Sequence, residues 1–530
     1  MSKSQFSGTD KIIMLLGTLA VTGCSSTVPV NPDSRPNIIL IMADDMGYSD
    51  IGCYGSEIQT PNLDMLADNG IRFTNFYNAA RCCPTRASLL TGLYPHEAGM
   101  GGMVSSVRQD PAPGPYQGFL NNNCVTLAEV LKNAGYSTYM TGKWHVGEKP
   151  QYWPRKRGFE NYFGLISGAS SYYELIEQSN YVRQMALDDE PFVPTSSDFY
   201  MTDAFTDYGV QYINEHFNNE GNSPMFMYVA YTAPHWPLHA LPEDIRKYEN
   251  RYNEGWDALR NERYERLKHL DLIDDSYARI ERPETVPEWN DVEDKAQWAK
   301  RMEVYAAMVD RMDQGIGRII QALKEKGQLE NSLILFLSDN GGCAESVEAR
   351  KLNDASVPLG AKGSYVAYEE PWAYASNTPF RKYKQWVHEG GIATPLIAFW
   401  PEKIKIRGKT TSQVSHIIDL MPTVLEVAGA KYPEVYNGNN IKPIQGESLA
   451  PVFADPGHIS NRILFWEHLQ NRAIRSGNWK LVSGKPSGNW ELYNLHADPV
   501  ESNDLITQYP EKADSLETLY NEWAQDVGVK

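Results

Sequence analysis

Four short, nearly unbroken apolar runs punctuate the chain, and each one ends in polar residues capable of chemistry. Residues 37–42 lead into Asp44 and Asp45, and residues 136–140 into Lys143 and His145. Residues 225–231 lead into His235, and residues 333–337 into Asp339 and Asn340. Near-continuous apolar runs suit strands buried on both faces of a parallel sheet. Helical spacing lies between them, over 125–134 before Gly135 and over 308–326 before Gly327. The alternation predicts an α/β fold built on a doubly wound sheet. Ligands of such sheets bind outside the carboxyl ends of the strands. The four polar clusters are therefore expected to converge on one site.

The rhythm breaks in three places. Residues 241–305, rich in charge, Tyr and Trp, predict exposed helix and loop that either shape a site or form a solvated face. Residues 165–200 are aromatic and polar, as a site rim would be. After about residue 435 the pieces 472–475, 479–482 and 490–493 read as short strands with turns, followed by a helix over 510–524. These predict a smaller C-terminal α+β domain. At the other end, Lys3 and Lys11 precede the apolar run 12–21, and the segment 21–24 resembles a bacterial lipobox ending in Cys24. The run falls short of the roughly 20 apolar residues that span a bilayer. The expected organisation is a lipoprotein signal peptide at 1–23, a Ser/Pro/Asn tether at 24–35, a catalytic domain at 36–435 and the C-terminal domain at 436–530. The protein is then exported to the bacterial periplasm or cell surface and lipid-anchored to the membrane at Cys24. The alternative is a cleaved secretory signal and a soluble periplasmic enzyme.

Composition narrows the partners. The 530 residues carry a net charge of −18, the opposite of a nucleic-acid or anionic-membrane binder. An anionic substrate would have to be drawn by a local basic pocket. The six cysteines (Cys24, Cys53, Cys82, Cys83, Cys124 and Cys343) show neither disulfide-framework nor zinc spacing.

The densest chemistry lies at Cys82-Cys83-Pro84-Thr85-Arg86, followed by Ala-Ser-Leu-Leu-Thr and Gly92. Pro84 suits a first helical turn and Gly92 a helix end, so the thiol of Cys82 faces a helix N-terminus, a natural seat for an oxyanion. Arg86 adds a planar cation. A buried thiol pair or a vicinal disulfide is the structural alternative. An Asp-Asp or Asp-Asn pair alone is usually a turn or cap. Two such pairs at strand ends, Asp44–Asp45 and Asp339–Asn340, make a hard oxygen site for Ca²⁺ or Mg²⁺. Lys143 and His145 fall on one side of an extended segment by alternation. His235 has rigid proline flanks, with His239 close by as a structural or substrate-contacting residue. Lys384 lies five residues before Glu389-Gly390-Gly391, in a loop that also holds Arg381, Lys382 and His388. His388 is a candidate for reading a sugar.

The pattern Cys-x-Pro-(Ser/Thr)-Arg with Leu-Thr-Gly downstream resembles the signature of the type I sulfatases of the alkaline phosphatase superfamily, in their bacterial arylsulfatase-like branch. Thr85 stands where Ser is commoner. The resemblance extends over nearly the whole chain from about residue 36. It implies an alkaline-phosphatase-like fold, in which the doubly wound sheet is large, mixed and sandwiched by helices, and conversion of Cys82 to 3-oxoalanine (formylglycine) by a formylglycine-generating maturation enzyme. The hydrate of that residue is the nucleophile in the family. It further implies Ca²⁺, with Mg²⁺ as the other choice, held by Asp44, Asp45, Cys82, Asp339 and Asn340. By the same match Lys143 holds nucleophile and sulfate, and His145 takes the proton that lets sulfate leave. His235 contacts sulfate and protonates the leaving alcohol, and Lys384 binds sulfate. The expected reaction is release of inorganic sulfate from a sulfated carbohydrate or aryl sulfate. The alternatives are a phosphonate or phosphodiester hydrolase of the same superfamily and an inactive glycan-binding lipoprotein.

Overall fold

A computed structural model describes residues 35–104, 112–178, 181–221, 223–485 and 488–529. The expected signal peptide, Cys24 and the tether up to residue 34 lie outside these. Every residue of strand β1 (Asn37–Ala43) is buried, which requires cover on both faces. It occupies the middle of the sheet. The other strands are β2 (Ile71–Phe73), β3 (Ser137–Gly142), β4 (Asn161–Leu165), β5 (Met185–Leu187), β6 (Glu190–Phe192), β7 (Met225–Ala230), β8 (Ser332–Ser338), β9 (Leu396–Phe399) and β10 (Lys409–Thr411). Among the described residues they form one ten-stranded sheet in the order β10-β2-β9-β8-β1-β7-β3-β4-β5-β6.

The centre is parallel. Ile39 is in register with Met227 of β7 and Ile334 of β8, and Met227 with Tyr139 of β3. The four apolar runs therefore end at one edge, as the alternation predicts. Strand β9 runs antiparallel to β8, making the sheet mixed.

Period-2 alternation sends β1 side chains to two cores. Ile39 and Ile41 meet helices α3 (Met201–Asn219) and α5 (Lys295–Glu325) through Phe205, Ile213 and Ile316. Ile38, Leu40 and Met42 meet α1 (Cys82–Thr91), α2 (Leu127–Asn133) and α6 (Leu420–Ala428) through Leu89, Leu131 and Val424. Helix α2 starts at a capping box. Thr126 Oγ1 accepts from Glu129 N (3.1 Å), and Glu129 Oε2 accepts from Thr126 N (2.7 Å), an arrangement worth about 1 kcal/mol.

Two expectations change. Helix α5 begins at Lys295, not 308, where Asp294 caps it by accepting from Gln297 N at 3.2 Å. Charged residues hide the early apolar spacing, and Glu303 is buried, accepting from Asn250 N at 2.8 Å. Residues 241–305 are not exposed throughout: many face solvent, as a solvated face would, while others pack onto the core. Within them Trp256 of α4 (Gly255–His269) packs edge-on against Trp289, Trp298 and Trp372 at 4.8, 5.8 and 5.5 Å. Buried Arg263 pairs with Asp50 and Glu57. The segment lies on the flank of the core and lines no part of the cavity described below.

The C-terminal pieces form an antiparallel sheet, β11 (Ile463–His468), β12 (Asn471–Ser476), β13 (Trp479–Ser483) and β14 (Trp490–Asn494). Helix α7 (Pro510–Val527) covers it, with Leu516 and Tyr520 against Ile474, Leu481 and Leu492. Strand β11 has no counterpart in the sequence expectation. No helix of the described residues is long and apolar enough to cross a membrane.

Candidate active site

The ends of β1 and β8 place two acidic pairs side by side. Asp45 adopts a left-handed backbone (φ 67°), which turns its N–H to Asp339 Oδ1 at 3.1 Å. Asn340 Nδ2 donates to Asp45 Oδ1 at 2.8 Å. Cys82 opens helix α1, every residue of which is buried, and Gly92 ends it with φ 69°. One turn on, the buried Arg86 guanidinium reaches Asp339 Oδ2 at 2.8 Å, Asp44 Oδ1 at 3.7 Å and the Lys143 carbonyl at 3.0 Å. Lys143 Nζ sits 2.6 Å from Asp44 Oδ2, and Lys384 Nζ 2.7 Å from Asp45 Oδ2. His235 Nε2 lies 3.4 Å from both Asp45 Oδ2 and Lys384 Nζ. Strands β1, β3, β7 and β8, helix α1 and the loop before Glu389 thus bring together the residues expected to hold the metal and carry the chemistry.

Three buried carboxylates face three buried cations, so charge is balanced over the cluster rather than pair by pair. Burial, then the neighbouring Asp339, pushes the Asp44 carboxyl well above its ordinary range. Against the upward push of burial, His235 and Lys384 hold Asp45 below it. Burial lowers His145 to about 4 and His235 to about 3, so both imidazoles are neutral near pH 7. The Cys82 thiol is drawn well down by a hydrogen bond from Cys83 and, against burial, by Lys143 and His145.

The geometry of His145 differs from the alternation expected. Strand β3 ends at Gly142, and His145 takes φ 56°, so the segment is not extended there. His145 Nε2 lies 3.3 Å from Cys83 Sγ, and its ring rests on Gly168, where a Cβ would stand 2.3 Å from Nε2. Cys82 and Cys83 are both free thiols, which removes the vicinal disulfide. His239 is structural, 2.7 Å from the Ser364 carbonyl through Nε2. His388 is buried 3.3 Å from Glu491 Oε2 and does not line the cavity.

The donor set can be tested for a metal. Buried acceptors normally find donors, yet Asp44 Oδ1 and Asn340 Oδ1 are buried without a hydrogen-bond partner. Ligand atoms of Asp44, Asp45 and His235 lie within 4.8 Å of one another. Orphaned oxygen acceptors among crowded carboxylates fit a hard divalent cation.

Above the cluster opens a cavity of about 450 Å³, floored by Cys82, His145, His235 and Lys384. Gly168, Ala169 and Arg183 of the aromatic stretch line it, as a rim would. Its other wall holds Arg81, Trp236, Glu345 and Arg350, which sequence reasoning passed over. Arg81 directly precedes Cys82 and Trp236 follows His235, a positional signal; Glu345 and Arg350 carry none. Glu345 accepts from Arg81 Nη2 (2.9 Å), Gln385 Nε2 (2.6 Å) and Trp236 Nε1 (3.1 Å). Tyr172 secures the His235 turn, its hydroxyl donating to the carbonyls of Thr232 (2.7 Å) and His235 (2.9 Å).

Known proteins carry the same organisation. The Sulfatase family model matches residues 36–430, and that for the C-terminal part of N-sulphoglucosamine sulphohydrolase matches residues 380–525. An uncharacterised sulfatase of Schizosaccharomyces pombe is 35% identical over 93% of this chain and 94% of its own. An arylsulfatase of Klebsiella aerogenes is 35% identical over 79% of this chain and 92% of its own. A crystal structure described as Ps i-CgsB in complex with k-i-k-neocarrahexaose superposes with a TM-score of 0.68 at 27% identity, covering 93% of each chain. The fold is alkaline-phosphatase-like. With a sulfatase pattern spanning the sheet, the strand-end cluster and the cavity above it, the chain belongs to the sulfatase family and is a sulfuric ester hydrolase.

Proposed function

We propose that the protein releases inorganic sulfate from a sulfated carbohydrate, with aryl sulfates as smaller substrates of the same site. Cys82 works as 3-oxoalanine, installed by a formylglycine-generating enzyme, beside a divalent cation, Ca²⁺ by family resemblance. The observation that carries this reading is the position of Cys82. It stands at the N-terminus of a buried helix and lines the cavity with His145, His235 and Lys384, while buried Lys143 acts on its thiol from beneath, paired with Asp44. A neighbour at 27% identity, described as holding a neocarrahexaose, supports an oligosaccharide as substrate.

Asp44, Asp45, Asp339, Asn340 and residue 82 are the groups that would hold the cation, which when bound offsets the charge of a sulfate ester and stabilises charge in the transition state. Hydrated 3-oxoalanine supplies a geminal diol, one oxygen to attack sulfur and the other to let sulfate depart. The protein's own groups do the rest. Lys143, Lys384 and Arg86 are fixed cations that need no reorganisation as the reaction proceeds. His235 Nδ1 is 2.6 Å from the Trp236 carbonyl. That contact fixes the proton on Nδ1 and leaves Nε2 towards the cavity. A bound anion raises the pKa of this imidazole, towards the form that gives a proton to the leaving alcohol. His145, neutral and with Nδ1 unpartnered, is in the form that accepts one. We also propose export and acylation at Cys24, on the strength of the basic, apolar and lipobox-like segments in order.

The test is sulfate release from a panel of sulfated glycans and a nitrophenyl sulfate by protein co-expressed with a formylglycine-generating enzyme, with Cys82→Ala as blank. Release that vanishes in the variant is expected. No release, despite a Cys82 peptide whose mass shows the aldehyde, would sink the reading and direct attention to phosphonates and phosphodiesters.

A further inference from the structure

The wall of the cavity beside His235 carries a positive charge that the reaction does not use. Arg350 ends the turn Glu348–Arg350, and Lys351, with φ 53°, turns the chain away behind it. The Arg350 guanidinium carbon lies 4.5 Å above the Trp236 ring. That ring is itself held by its N–H bond to Glu345 and lies 4.4 Å, centroid to centroid, from His235. A guanidinium held over a ring face by cation–π attraction keeps its N–H groups for a ligand. Arg350 is exposed, and no carboxylate among the described residues pairs with it. Glu345, the acidic residue on this wall, is occupied by Arg81, Gln385 and Trp236. Against burial, Lys384 and Arg81 hold it ionised down to about 2. Arg183 lines the same cavity, and it and Arg350 both act on the hydroxyl of Tyr365. Four cations and one carboxylate therefore line the described cavity, on a chain whose net charge is −18.

We infer that Arg350, seated on Trp236, is a subsite for a second anionic substituent of the substrate, a sulfate ester or a carboxylate on the leaving alcohol. This rests on the sulfatase reading. The direction follows from the neighbour: His235 is the group assigned to the leaving oxygen, and one indole ring separates it from Arg350. A second anion on the departing sugar thus meets Arg350, while the scissile sulfate occupies Lys143 and Lys384. A guanidinium recognises either anion through two parallel N–H bonds.

The experiment takes the glycan from which the wild-type protein releases sulfate and compares kcat/KM with and without a second charge. One arm adds a second sulfate to the same sugar, and another replaces the adjacent sugar by a uronate. Wild type should prefer one doubly charged form about tenfold, and the arm that shows it names the anion. Arg350→Ala should erase that ratio, chiefly through KM, and Arg350→Lys should keep part of it. Binding of the same pairs to the Cys82→Ala protein should show the same loss without turnover. Equal kcat/KM for all forms in wild type, or an unchanged ratio in Arg350→Ala, overturns the subsite while leaving the sulfatase reading intact. Absence of release from every glycan and from nitrophenyl sulfate removes both.

Discussion

His145 shows how much of this site depends on residues with no chemistry of their own. The Nε2 end of its imidazole rests on Gly168, with the position of a Cβ there 2.3 Å from Nε2 and 2.4 Å from Cε1. No side chain fits without moving the ring, and a shift of about 1 Å in a catalytic group can cost about 10²-fold in rate. Gly168 has no left-handed backbone to defend, and the nearest atoms a Cβ would meet all belong to His145. Gly168→Ala should therefore lower kcat for a nitrophenyl sulfate by about 10²-fold. Aldehyde content at residue 82 and the thermal midpoint should stay near wild type. If kcat is unchanged, the pose of His145 does not matter to the reaction. A fall in the midpoint matching the fall in rate would mean that the glycine serves the fold.

At the scale of elements, the segment carrying Lys384 is held from outside the main sheet. Lys480 of β13 is fully buried, 2.7 Å from Glu389 Oε1 and 2.8 Å from Glu501 Oε1. Glu501 Oε2 accepts from Glu389 N at 2.8 Å, and Tyr77 donates to Glu389 Oε2 at 2.8 Å. The loop between Lys384 and Glu389 closes on itself so tightly that a Cβ on Gly391 would stand 2.0 Å from the Trp386 carbonyl. The Lys-to-Glu-Gly-Gly spacing was legible through the family resemblance, and this closure is what fixes it in space. Lys480→Met leaves two buried carboxylates without their cation. It should cost about 3–5 kcal/mol of stability, read as a lower denaturant midpoint. It should also reduce kcat/KM through a displaced Lys384, although Lys480 lies in the other sheet. Full activity in a stable variant would separate the C-terminal sheet from the site. The contrast with the main sheet shows what a sequence can reveal. Strands β1, β7 and β8 are almost wholly apolar and β3 is buried along most of its length, while Pro84 marks the first turn of α1 and Gly92 its end, so their ends and the residues just beyond were legible. Lys480, Arg350 and Glu303 were not. A charged residue in a polar context looks the same whether water or a buried partner satisfies it, and their partners lie far off in sequence. His145 was legible as a residue but not as a conformation, because its ring meets Gly168 and Cys83 and its backbone N–H donates to the Ile166 carbonyl, neighbours that the local sequence does not reveal.

The whole molecule sets a field opposed to its own site. A chain of net charge −18 repels an anionic glycan at long range, while the cavity, lined by Arg81, Arg183, Arg350 and Lys384 against Glu345, attracts it at short range. Salt separates the two by distance. At about 0.01 M the Debye length is roughly 30 Å, so an approaching substrate senses the whole surface; at about 0.1 M it is roughly 10 Å, and the substrate senses mainly the mouth. The partly buried floor is screened far less than either. For a doubly anionic glycan, kcat/KM should therefore rise between about 0.01 and 0.1 M salt as the global repulsion fades, then fall at higher salt as the mouth is screened in turn. The rise should be smaller for a singly charged nitrophenyl sulfate, which feels less of both fields. Steady-state rates across a sodium chloride series, with both substrates in parallel, give the answer. A steady fall from the lowest salt for both would mean that the mouth governs approach at every distance and that the surface charge has no part in substrate capture.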